Sequence, residues 1–153
     1  MPEKQIDKER VIKLLNTILE VELAGAVRYT HYSFMIFGYN RIPIVSWMRG
    51  QANESMMHAQ AAGELITHFG GHPSLGIGKL LESHKHDIKD ILKESLLHEK
   101  GGLQLYVDLH DEVVGKSIML EEYARKMIQE EEMHIGEVDK MLRNPGELTS
   151  KMI

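Results

Sequence analysis

Glu131 and His134 stand three residues apart in a segment where Leu120, Ala124, Met127, Val138 and Met141 recur at helical spacing. On an α-helix this sets a carboxylate oxygen and an imidazole nitrogen about one turn apart on the apolar stripe, a pair able to hold one metal ion. Three other segments offer comparable groups. Glu22 falls among Leu15, Leu19, Ala26 and Tyr29; His58 has Glu54 one turn before it; Glu99 has His98 beside it. Such residues are informative because a bundle core is otherwise apolar. Three or four carboxylates brought together in a dry core stay ionised only if cations compensate them. A pair of divalent ions with oxygen and nitrogen ligands meets that condition, and iron or manganese suits these donors better than zinc or copper. Glu130 and Glu132, on either side of Glu131, read as a solvated face.

Four long helical tracts must position these groups. Apolar periodicity and Gly/Pro punctuation predict helices over about 7–37, 44–69, 81–114 and 117–143 of a single domain spanning 1–153. Breaks fall at Gly38, Gly70-Gly71, Gly115 and Asn144-Pro145-Gly146, and no strand pattern competes. The first and third connections are short, so each joins an antiparallel pair. The second, Gly70 to Lys79, is Gly-rich and lacks helical periodicity. It is long enough to return the chain along a helix, which makes the all-α expectation a four-helix bundle with one long crossover.

Composition narrows the class. The 153 residues are 42% hydrophobic and 27% charged, ordinary for a globular protein. The absence of cysteine excludes disulfides, thiolate metal sites and a cysteine nucleophile. No apolar run approaches the ~20 residues of a membrane span, and the polar first ten residues lack a signal-peptide core. These features point to a cytoplasmic protein without a membrane partner. A net charge of -5 argues against nucleic-acid binding. The ten Met read mainly as adaptable core filler. His31, His68, His72, His84, His86 and His110 read as surface or half-buried residues, although His84-Lys85-His86 could take up a metal adventitiously.

Four segments carry a family resemblance: Val21-Glu22-Leu23-Ala24-Gly25-Ala26-Val27-Arg28-Tyr29, Glu54-Ser55-Met56-Met57-His58-Ala59, Gly70-Gly71-His72-Pro73 and Glu130-Glu131-Glu132-Met133-His134-Ile135. They resemble bacterioferritins of the ferritin superfamily, and the likeness runs to about Leu142. It implies a ferritin-like bundle that oxidises Fe(II) with oxygen or peroxide at an intrasubunit di-iron site and stores the ferric product in an oligomeric shell. By that resemblance Glu22, His58, Glu131 and His134 fall on metal ligands, with Glu131 bridging, and the ferroxidase step rests on Glu22 and Glu131. Tyr29 falls on a tyrosine near the centre; the plainer reading is a packed tyrosine whose hydroxyl bonds a ligand carboxylate. Met56 falls on the methionine that binds haem b between two subunits; the plainer reading is a methionine packed at a dimer interface.

Two departures stand out. The family motif on the second helix is Glu-x-x-His, but Ser55 stands three residues before His58, leaving Glu54 as the nearest carboxylate. An ungapped match on the third helix falls on His98, and a shift of one residue places Glu99 there as the metal-binding carboxylate. These departures also fit a ferritin-like subunit with an altered or lost di-iron site, acting as a structural or haem-carrying partner. The short segment after Gly146 also fits a peroxide-protective mini-ferritin with a 12-subunit shell. Tyr32, Phe34, Trp47 and Met56 lie off the main stripes, which predicts a homo-oligomer built from two-fold dimers over the first two helices.

Overall fold

The computed structural model describes residues 5–80 and 82–150. Four helices follow in order: α1 (Lys8–Phe34), α2 (Arg41–His68), α3 (Ile88–Val113) and α4 (Ile118–Leu142), with no strand among the described residues. The all-α class agrees with the sequence reading. None of these helices is long and apolar enough to cross a membrane.

Most helix starts are marked by side chains. Asp7, Asp87 and Ser117 accept hydrogen bonds from the N–H groups of Arg10, Lys89 and Leu120, which have no acceptor within their own helices. Pro43 sits in the first turn of α2, where a missing N–H costs nothing.

Three boundaries differ from expectation. Helix α2 begins at Arg41 rather than 44, with Pro43 inside its first turn. Helix α1 stops at Phe34 rather than 37, because the Arg41 guanidinium donates to the Ser33 and Ile36 carbonyls and Gly38 turns the chain at φ 97°. Helix α3 begins at Ile88 rather than 81. Position 81 lies outside the described residues; residues 82–86 are irregular, with His84 at φ 59°, and Asp87 then caps the helix.

Helix α1 packs on α2, α3 packs on α4, and α1 also packs on α3. Side chains fix the direction of that last pair. Moving up α1, Arg10 meets Glu112, Glu22 meets Tyr106, Tyr29 meets Glu99 and Tyr32 meets Glu94, so α1 and α3 are antiparallel.

The connection between α2 and α3 makes this order possible by running along α1. Asn16 Nδ2 donates to the His72 carbonyl and its Oδ1 accepts from Ser74 N–H. Ser74 Oγ donates to Glu20, Gly78 N–H donates to the Glu20 carbonyl at 2.8 Å, and Glu82 reaches His31. Gly78 is required for this approach: a Cβ there would lie 3.1 Å from the Glu20 carbonyl oxygen and 3.3 Å from Val21 Cα.

The apolar core is in two parts. One gathers Leu15, Leu19, Ala59, Ile66, Leu109, Leu120 and Met127; the other gathers Tyr29, Ile36, Met48, Leu92, Leu96, Ile135 and Val138. On every helix the switch between them falls at residues flagged by their chemistry: Glu22, Ser55 and His58, Glu99, and Glu131 with His134. Tyr32 and Trp47, expected on the outer face, instead join the second part. Tyr32 bonds Glu94 through its hydroxyl, and Trp47 packs edge-on against Tyr29. Phe34 and Met56 are exposed, together with Leu75, Ile77 and Leu80 of the crossover.

Replacing Gly78 with Ala is expected to lift the crossover from α1, since backbone atoms cannot yield as a flexible side chain can. The expected cost is about 1–2 kcal/mol, or a Tm lower by a few degrees in thermal melts. An unchanged Tm would show that the crossover is not seated by this contact.

Candidate metal centre

The layer between the two halves of the core holds three buried carboxylates: Glu22, Glu99 and Glu131. Each comes from a different helix because each occupies an inward position of its own apolar stripe. Phenols hold two of them in place: Tyr106 donates to Glu22 at 2.8 Å and Tyr29 donates to Glu99 at 2.6 Å. Burial pushes the pKa of both tyrosines upward, so they remain donors.

Two ligand groups meet in this layer. Glu22, His58 and Glu131 form one; Glu99, Glu131 and His134 form the other; in each group the ligand atoms lie within 4.8 Å of one another. Glu131 belongs to both. The distances are 3.5 Å from His58 Nδ1 to Glu22, 3.9 Å from His58 Nδ1 to Glu131, and 3.7 Å from His134 Nδ1 to Glu99. Glu131 Oε2 and His134 Nε2 are buried without a hydrogen-bond partner. An unpaired buried acceptor is costly, and a bound cation would satisfy such an oxygen on a residue that belongs to both ligand groups. The donor set therefore fits a pair of divalent ions sharing Glu131. His134 is braced by its neighbours, stacked on Tyr29 and edge-on to Trp47.

Charge in the metal-free layer is managed by protons. Burial pushes Glu131 far above the ordinary carboxylate range, and its hydrogen bond with Glu99 and the charges of Glu99 and Glu22 add to the effect. Burial also acts to raise Glu99, but the hydrogen bond from Glu131, the His134 charge and the Tyr29 hydroxyl outweigh it and hold Glu99 low. The two carboxyls thus share one proton, held by Glu131. Burial raises Glu22 against the opposing pull of His58. Burial works to lower His58, yet the neighbouring carboxylates, Glu22 first, raise it overall.

His58 has two differently occupied sides. Its Nδ1 faces Glu22 and Glu131, whereas Nε2 lies 3.0 Å from Glu130 and 3.8 Å from Glu54. A carboxylate only accepts, so Nε2 carries a hydrogen toward Glu130 and Nδ1 one toward Glu22; loss of the inner proton would leave the Nδ1 lone pair facing inward for an ion. Glu54 was expected to hold an ion with His58 from within the centre. It is instead 48% exposed and belongs to an outer group with His58 and Glu130. Four residues of separation rotate it off the inward face.

Ser55 is buried at the inward position, where the family motif has a carboxylate. It sits over Gly25, at which a Cβ would lie 2.8 Å from Ser55 Oγ and 3.0 Å from His98 Nε2. His98 leans over Gly25 and joins none of the ligand groups among the described residues, while Glu99 lies within one. Met56 is 40% exposed on α2, beside Leu19 and Leu23 of α1.

Two contributors escaped the sequence reading. Tyr106 continues the buried stripe of Ser95, Glu99 and Gly102 on α3, so its spacing from Glu99 was the available signal. Glu130 was assigned to solvent; its position four residues before His134 gave no indication that it would reach His58 on another helix.

This arrangement defines a class: an all-α bundle with a buried carboxylate–histidine centre. The sequence matches the ferritin-like domain family over residues 12–146, and the chain belongs to that family. No curated protein matches it significantly in sequence. Its fold is similar to that of a ferritin-like di-iron carboxylate protein from Bacillus anthracis, with TM-score 0.84 and 21% identity over 90% of this chain and 98% of the other. It is also similar to a bacterioferritin-related protein of Bacteroides fragilis, described as a dodecameric thioferritin (TM-score 0.83, 21% identity, 90% and 87% covered). The bacterioferritin of Rhodobacter capsulatus, described with a metal-free dinuclear site and haem iron, gives TM-score 0.78 and 23% identity, with 91% and 86% covered.

The protonation pattern predicts an unusual pH response. Glu22, Glu131 and His58 are raised in the folded chain, so the stability they contribute is complete below their unfolded pKa values and fades as pH rises through the folded ones. His98, lowered by burial, opposes this near neutral pH, and Glu99 opposes it in acid. The metal-free protein is therefore expected to melt at least about 3 °C higher near about pH 5.5 than near about pH 8. Saturating Mn(II) should reverse that order, because ions and protons compete for the same atoms. A metal-free Tm that climbs with pH would contradict the shared proton.

Proposed function

We propose that the protein binds two Fe(II) ions in the buried layer, oxidises them with oxygen or peroxide, and holds ferric iron inside a homo-oligomeric shell. The observation that carries this reading is the pair of ligand groups joined at Glu131, with Glu131 Oε2 and His134 Nε2 left unsatisfied. Glu22 and His58 would hold one ion, Glu99 and His134 the other, and Glu131 would bridge them. Each Fe(II) supplies one electron, so a pair can reduce one oxygen to the peroxide level or one peroxide to water. The protein's own part is positional and protonic. Tyr29 and Tyr106 fix two carboxylates, and Glu131 and His58 give up protons as ions arrive. The dry layer also strengthens each ion–ligand attraction. A cytoplasmic location belongs to the same reading.

Storage requires a cavity that one bundle lacks. The exposed Val27, Phe34, Met57, Leu75 and Ile77 support burial against further copies, beginning with a two-fold dimer. The dodecameric assembly reported for the Bacteroides fragilis protein supports a 12-subunit shell as one size. Sedimentation at micromolar concentration should show no monomer. In such a dimer Met56 would be the residue to hold a haem shared between subunits, which would supply an electron-transfer group; a Soret band in the purified protein would test this.

A second reading is favoured by one specific residue. Ser55 leaves the layer one carboxylate short of the family pattern, as expected of a subunit that keeps the fold without the activity. Stopped-flow absorbance after two Fe(II) per chain separates the two. Under the first reading the wild type oxidises rapidly, and Glu131→Ala slows it by more than the about 10–100-fold typical of a residue that only orients a ligand. The fold should remain equally or more stable. Under the second, the wild type is inert and Ser55→Glu introduces oxidation. Rapid oxidation that survives Glu131→Ala would remove the shared-carboxylate centre.

A further inference from the structure

A second set of metal-ligand side chains lies outside the buried layer, where the crossover leads into α3. Glu82, His84 and His86 each present a ligand atom within 4.8 Å of the others. Glu82 Oε1 is 2.6 Å from His86 Nε2, and Oε2 is 3.8 Å from His84 Nδ1. The same Oε2 lies 3.1 Å from Nε2 of His31, which comes from α1. Three imidazoles from two elements thus converge on one carboxylate.

The segment that carries them is held in place. Ser83 N–H donates to Glu94 Oε2 at 2.8 Å, and Glu94 Oε1 accepts from the Tyr32 hydroxyl. His84 adopts φ 59°, the one positive value at a non-glycine residue among those described. A left-handed histidine carries a conformational cost that surrounding contacts must sustain.

We infer that Glu82, His84 and His86 bind a divalent transition-metal ion of the zinc class, with His31 orienting the carboxylate from α1. Two imidazoles and one carboxylate favour Zn(II), Co(II) or Ni(II) over Mg(II) or Ca(II), which prefer all-oxygen sets. This donor set differs from the buried layer, where carboxylates outnumber imidazoles. His84 is 81% exposed, so a fourth position stays open to water. The ion replaces the hydrogen between His86 and Glu82, while the Glu82–His31 contact ties the site to α1.

The test uses the intact protein and Zn(II) alone, with equilibrium dialysis at micromolar free metal and anomalous diffraction from soaked crystals. The wild type should bind one more Zn(II) per chain than the His84→Ala, His86→Ala double variant. Zinc should scatter within about 2.0–2.2 Å of all three ligand side chains. His84 is exposed and His86 half-buried on the crossover segment, outside the buried layer, so the bundle and any Fe(II) oxidation should be unchanged. Replacing His31 with Ala should weaken binding about 10-fold or more without abolishing it. Equal zinc stoichiometry in wild type and double variant would overturn the assignment. So would zinc that appears at this site only at millimolar concentration, or that excess Mg(II) displaces.

Discussion

Holding Glu22, Glu99 and Glu131 out of water side by side carries two costs, lost solvation and mutual repulsion. The bundle is arranged around both. Lost solvation is offset by Tyr29 and Tyr106, whose hydroxyls stand where water would otherwise donate. Repulsion is relieved by a proton shared between Glu99 and Glu131 and by the charge of His58 beside Glu22. Because these groups need neighbours from every helix, apolar residues are excluded from one level of the bundle, and the core is divided there.

That division places strict demands on register. A helix shifted by one residue would carry its carboxylate off the inward face and bring an apolar side chain against charge. The crossover guards against this on the α1–α3 side. Its backbone is tied to Asn16 and Glu20, and Gly78 allows it to lie directly on the helix, so the length it spans is set by α1 itself. Helix α3 can then begin only where α1 is ending, the antiparallel setting that brings Glu99 to Tyr29 and Tyr106 to Glu22.

Much of this was legible in the sequence because periodicity reports the buried face. The stripes carrying Glu22, Glu131 and His134 identified inward residues, and Gly70-Gly71 with Pro73 marked the long connection; Glu99 was reached through the resemblance, by a one-residue shift from His98. Groups whose position depends on another helix were not legible. Periodicity put Glu130 outside, and so it is with respect to α4, but His58 reaches out from α2 to meet it. Glu54 and Ser55 show the same limit. Residue type favoured the carboxylate, whereas one-residue helical rotation put the serine inward and the glutamate at the surface. Helix α3 was drawn too long because residues 82–86 contain charged and imidazole groups compatible with a helix. Their irregular path depends on Glu94 and His31, which are distant in sequence.

Helices α2 and α4 have no close backbone approach among the described residues; His58 and Glu130 span the gap between them. One imidazole therefore separates two carboxylate basins of unequal character. Outside it, Glu54 and Glu130 are partly hydrated, while inside it Glu22 and Glu131 are almost wholly out of water. The partition is one aromatic ring thick. At this seam the distance from solvent to the innermost carboxylate is set by the width of a single side chain and not by the radius of the bundle.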